Sequence, residues 1–134
     1  MQIEKSETLP IRMETHVVEA RQMVRKWAID LKFTLTEQTK LVTAASEIAR
    51  NTLIYGKGGD VTLDLVSDKG RTGLRLTFVD QGPGIPDIEL ALRDGYTSGS
   101  GLGLGLSGSK RLVHDFDISS SVGNGTKITL TRWK

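Results

Sequence analysis

Cysteine is absent from the 134 residues. Disulfides, thiolate nucleophiles and cysteine-based zinc sites are excluded with it. Histidine is scarce: His16 and His114 are the two, too far apart in the chain to suggest a His-rich metal site. Charge of one sign is not in excess. Eighteen Lys and Arg stand against sixteen Asp and Glu, a net +2, which argues neither for nucleic acid nor for a membrane surface. No apolar run approaches the roughly 20 residues of a membrane span. Met1-Gln2-Ile3-Glu4-Lys5-Ser6-Glu7 holds no apolar core of a signal peptide. The length suits one compact domain over residues 1–134. The expectation is a cytoplasmic, single-domain protein.

Glycine is what the chain has in plenty. Eight of its fifteen glycines lie between Gly82 and Gly108. Either that stretch is a flexible loop, or its backbone must come very close to something.

Residues 1–9 read as a frayed terminus, with Pro10 to Met13 as a short edge strand. Val17, Ala20, Val24, Trp27 and Leu31 follow steps of three and four, one apolar face of a helix. Thr34-Leu35-Thr36-Glu37 spells a capping box. A second helix follows, with Leu41, Ala44, Ala45, Ile48 and Thr52 on one face, and stops near Tyr55-Gly56. Val61–Val66 and Leu74–Val79 alternate as strands, antiparallel because the link between them is too short for a crossover. Asp87 to Asp94 is a possible short helix and Ser107 to Phe116 a further one. Phe116–Val122 and Thr126–Arg132 form a last strand pair. The expected fold class is α+β: a two-layer sandwich of a mixed sheet covered on one face by three helices.

Four motifs carry chemistry. Glu47 and Asn51 sit at i and i+4 on the second helix, off its apolar face. A solvated helix side is the plain reading, but Asn is a poor mid-helix residue. An amide oxygen suits Mg²⁺, and a carboxylate one turn away suits a general base. Asp80-Gln81-Gly82-Pro83-Gly84-Ile85-Pro86 brings an alternating strand directly into an acid and spaced glycines. Such an acid can accept a hydrogen bond from a purine amino group. Gly101-Leu102-Gly103-Leu104-Gly105-Leu106-Ser107-Gly108 opens a helix, where backbone N–H groups can cradle phosphate. Gly103-x-Gly105-x-x-Gly108 satisfies the dinucleotide fingerprint only in letters. No strand precedes it, and Ile128 stands where an acid is needed. The P-loop fails as well, since Ser109-Lys110 follows Gly108. Gly123-Asn124-Gly125-Thr126 is a hairpin turn whose threonine hydroxyl could touch a ligand.

Taken together and in this order, the motifs resemble the Bergerat ATP-binding fold of the gyrase, Hsp90, histidine-kinase and MutL superfamily (GHKL), over about residues 40–130. The resemblance implies ATP and Mg²⁺ as cofactors. It implies that Asn51 ligates Mg²⁺, that Asp80 binds the adenine amino group, and that Gly82 and Gly84 let the base pack. Gly101, Gly103, Gly105 and Leu106 would embrace the phosphates, Thr126 would assist at the adenine, and residues about 87–105 would form the ATP lid. The short chain excludes the large members, and neither histidine lies in a phosphoacceptor helix pair. Stand-alone domains of this size resemble bacterial anti-sigma-factor serine kinases. Ser46-Glu47-Ile48-Ala49-Arg50-Asn51, Asp94-Gly95-Tyr96-Thr97-Ser98 and the tail ending at Trp133-Lys134 are similar to the stressosome switch kinase branch. The sigma-binding branch carries an arginine just before the glycine string. Here Ser98-Gly99-Ser100 stands there, and Arg93, Lys110 and Arg111 are the nearby cations.

The resemblance implies phosphoryl transfer from ATP to a protein Ser or Thr, with Glu47 as the base. Its implied substrates are STAS-domain antagonist and stressosome scaffold proteins. After release the kinase would activate a PP2C-type phosphatase by binding it, with no part for nucleic acid or membrane. The alternatives are an anti-sigma-factor kinase that binds a sigma factor directly, a nucleotide sensor without catalysis, and a binding domain without nucleotide.

Overall fold

The computed structural model describes residues 1–93 and 105–134. In chain order the elements are β1 (Gln2–Ile11), α1 (Glu14–Asp30), α2 (Leu35–Ile54), β2 (Gly59–Asp68), β3 (Arg71–Asp80), α3 (Ile88–Ala91), α4 (Gly105–Arg111), β4 (Asp115–Ser120) and β5 (Thr126–Trp133). The capping box forms as the sequence spells it. Thr34 Oγ1 accepts from Glu37 N at 3.1 Å, and Glu37 Oε1 accepts from Thr34 N at 2.9 Å. Lys69 and Gly70, with φ of 52° and 83°, make the two-residue turn between β2 and β3. Positive φ at both positions matches the right-handed twist of the hairpin.

The sheet has five strands in the order β1-β2-β3-β5-β4. Every neighbouring pair is antiparallel, so the α+β class stands but the sheet is not mixed. The crossover through α3 and α4 does return β4 in the direction of β3, and β5 then inserts between them. A second correction concerns the N-terminus. Residues 2–11 are not frayed: they pair with β2 from Gln2↔Ser67 to Ile11↔Gly59. Nearly all their side chains are exposed, so no alternation announces the strand. Backbone pairing holds it, helped by contacts such as Thr8 Oγ1 to Thr62 Oγ1 at 2.9 Å. A third correction is the end of α4. It stops at Arg111, not Phe116. Leu112 N bonds Ser109 O in a tighter last turn, and Arg132 donates to the Leu112 carbonyl at 3.0 Å. His114 N already bonds Thr131 O, so strand pairing has begun by then.

One sheet face carries the core. Val61, Leu63, Leu74, Leu76, Phe78, Ile128 and Leu130 share its parity and are buried. Against them pack Val17, Ala20, Val24 and Trp27 of α1, Leu41, Ala44, Ala45 and Ile48 of α2, and Leu106 of α4. The three helices therefore lie on one face, as expected, and α3 adds a single turn. Among the described residues no helix is long and apolar enough to cross a membrane.

Candidate functional site

At one end of the sheet, Gly59, Asp80, Thr126 and Ser120 pair in register across β2, β3, β5 and β4. The row matters because Asp80 is the last residue of β3 and Thr126 the first of β5. Their side chains project from strand ends toward α2, into a cavity of about 340 Å³. Glu47, Asn51, Asp80, Gly84, Gly105, Leu106 and Thr126, all singled out in the sequence, line that one cavity. They come from four separate stretches of chain. Glu47 and Asn51 are thus not on a solvated helix side; both are half-buried at the cavity wall.

Asp80 is buried, at 8% exposure, and Gly82 N donates to its Oδ1 at 2.9 Å. That leaves Oδ2 able to accept from a ligand. Gly82 does not itself line the cavity. A Cβ there would come within 2.8 Å of the Gly56 backbone, so its bareness serves close packing behind Asp80. Gly84 has φ +79°, and a Cβ on it would strike the Ser121 carbonyl. Gly101 and Gly103 of the glycine string, with residues 94–104 of the lid expected at about 87–105, lie outside the described residues.

In the sequence Gly56 reads only as a helix stop. It does more. Its N–H bonds the Asn51 carbonyl at 3.0 Å, and a Cβ on it would fall on the Asp80 carboxylate. The same glycine therefore ends α2 and admits Asp80. Tyr55, Leu90, Ala91 and Ile128 also line the walls and are not read as ligand residues in the sequence. Their signal is weak, because a scattered apolar residue looks like core until the fold brings it to a cavity.

The chemistry follows from this lining. Apolar walls with one buried acceptor suit a flat heteroaromatic ring bearing an amino group. A carboxylate and an amide oxygen stand at i and i+4 nearby. Among the described residues no group of three or more His, Cys, Asp or Glu could hold a metal. A cation at Asn51 would therefore need oxygens from a ligand and water, which is how Mg²⁺ is commonly held beside phosphates. The donor set fits Mg²⁺ brought in with a nucleotide.

Comparison with known proteins agrees with this geometry. Residues 36–134 match the family described as histidine kinase-, DNA gyrase B- and HSP90-like ATPase. The chain is 42% identical over 123 residues to the serine/threonine-protein kinase RsbT of Bacillus subtilis (strain 168), covering 92% of each. It is 34% identical over 119 residues to an anti-sigma F factor of Clostridium acetobutylicum, covering 84% of this chain and 82% of that one. Among solved structures, the RsbU and RsbW domains of Rv1364c from Mycobacterium tuberculosis superpose with a TM-score of 0.66 at 20% identity. That match covers 97% of this chain, which spans 33% of the other. The mycobacterial sensor histidine kinase MprB superposes with a TM-score of 0.55 at 21% identity, over 96% and 97% of the two chains. These two likenesses speak to the fold.

Proposed function

The chain belongs to the family of histidine kinase-, DNA gyrase B- and HSP90-like ATPases and is of its serine/threonine-kinase kind, and we propose that it acts in partner switching on STAS-domain antagonist and stressosome scaffold proteins. The observation that carries this reading is the convergence of Glu47, Asn51, Asp80 and Thr126 on one cavity in a chain 42% identical to a named serine/threonine kinase.

In this reading ATP enters with its adenine toward Asp80 and its phosphates toward Asn51 and the start of α4. Asn51 would hold Mg²⁺, which when bound neutralises charge on the phosphates. Glu47 takes the proton of the substrate hydroxyl as it attacks the γ-phosphorus; the bond to the β–γ bridging oxygen breaks and ADP leaves. Catalysis is mostly positioning and charge neutralisation, so a small domain suffices. The segment 87–105 acts as the lid that shields the reaction from water. Once its substrates are phosphorylated, the kinase leaves them and activates a PP2C-type phosphatase by binding. These steps belong to the cytoplasm. The identity to an anti-sigma F factor supports the second reading, a kinase that binds a sigma factor directly.

Co-elution tests the assignment. The purified protein is mixed with a STAS-domain substrate, a PP2C-type phosphatase or a sigma factor, with and without Mg-ATP. The expected result is a complex with the STAS protein that Mg-ATP dissolves, and a separate complex with the phosphatase. Retention of the sigma factor instead would move the protein to the second reading.

A further inference from the structure

Ser120 ends β4 and pairs with Thr126 across the strand boundary. Three groups surround its hydroxyl. Ile85 N donates to Ser120 Oγ at 2.8 Å. Ser120 Oγ donates to the Gly125 carbonyl at 2.9 Å. Thr126 Oγ1 lies 2.8 Å away. A serine hydroxyl has one hydrogen and two lone pairs. A backbone N–H can only donate and a carbonyl can only accept, so the first two bonds have fixed directions. The single hydrogen of Ser120 is thus committed to Gly125. Only a lone pair remains for Thr126, and Thr126 must be the donor in that bond.

The consequence falls on the cavity. With its hydrogen turned to Ser120, Thr126, which lines the cavity, has only Oγ1 lone pairs to offer a ligand there. Asp80, its register partner on β3, also offers only acceptors when ionised. We propose that Ser120 is a positioning residue for nucleotide selection: by fixing the hydrogen of Thr126 it makes the sheet end a pair of acceptors matched to the two hydrogens of a purine 6-amino group. The inference rests on the adenine-nucleotide reading above and extends it to a residue that does not line the cavity. The same hydroxyl also ties the loop after Gly84, through Ile85, to the Gly123–Gly125 turn.

The test measures what the amino group is worth. Mg-ATP and the Mg complex of purine riboside triphosphate, which lacks only the 6-amino group, are titrated by calorimetry into the wild type and its variants. In Ser120→Ala, Thr126 is released and can turn its hydrogen into the cavity. The preference for ATP over the deamino analogue is expected to narrow by about two- to fivefold, less than the worth of a full hydrogen bond, because the freed hydroxyl can still rotate to accept. Ser120→Thr keeps a hydroxyl in place and should restore the preference. Should Ser120→Ala fail to fold by circular dichroism, Ser120→Cys, of similar size but a poor hydrogen-bond partner, gives the same comparison. Equal weakening of both nucleotides, with an unchanged ratio, would overturn the proposal and leave Ser120 as a brace of the turn. Failure of the wild type to bind either nucleotide would instead reject the adenine reading itself.

Discussion

Asp80 shows how much one side chain can depend on the bareness of its neighbours. Its carboxylate rests where a Cβ of Gly56 would be, and its carbonyl where a Cβ of Gly125 would be. Gly82 then closes over it through a 2.9 Å bond to Oδ1. A buried carboxylate held this way presents acceptors and no donor. Asp80→Asn keeps the shape but can turn an N–H toward an amino group. It is expected to weaken ATP binding by about 1–3 kcal/mol, the cost of a buried mismatch, while the circular dichroism spectrum stays as in the wild type. Calorimetry checks this, and unchanged affinity would remove Asp80 as the proposed adenine acceptor. The acid was legible in the sequence because a strand ran straight into it. The glycine that admits it was read as a helix terminator, since a close approach across 24 positions of chain leaves no local mark.

At the scale of elements, the start of α2 sets the direction of the helix that carries Glu47 and Asn51. The backbone bond from Thr34 is the main cause that lowers the Glu37 carboxyl below its ordinary 4.5, against an opposing effect of burial. A group with a lowered folded pKa adds stability that is complete above about 4.5 and is lost as the pH falls through the folded value. Glu37→Gln should therefore flatten the loss of stability on acidification in this window. Thr34→Ala is expected to cost about 0.5–2 kcal/mol at neutral pH. Urea melts between pH 3 and 7 read both; an acid limb of the same steepness in Glu37→Gln would reject the account. This cap was plain from four letters, because its bonds are local. Most of β1 is illegible for the opposite reason: beyond Pro10-Ile11, which reads as an edge strand, its exposed side chains carry no period, and its partner strand begins some fifty residues later. The end of α4 was misread because Val113 and Phe116 serve the core equally well from a helix or from an extended chain. Contacts from β5 mark where the helix stops: Arg132 reaches the Leu112 carbonyl, and His114 N bonds Thr131 O.

At the scale of the whole molecule, the sheet order determines the site. Inserting β5 between β3 and β4 puts Thr126 beside Asp80 and Ser120 beside Thr126, and the motifs' spacing alone could not show that row. What the sequence did show was the set of residue types and their order, because turns, glycines and strand ends are local. The cavity and its walls needed the fold. The central claim is that one domain both transfers phosphate and holds its protein partners, with Glu47 serving the first task only. Glu47→Gln keeps size and hydrogen bonding but removes the basic carboxylate, and general-base catalysis is worth about 10²–10⁴-fold. The most direct measurement is radiolabel transfer from Mg-ATP to a purified STAS-domain substrate, beside co-elution with the same substrate and with the phosphatase. The account expects the variant to bind Mg-ATP and both partners, to transfer phosphate slower by about that factor, and to stay on its substrate when Mg-ATP is added. Transfer at the wild-type rate would contradict it.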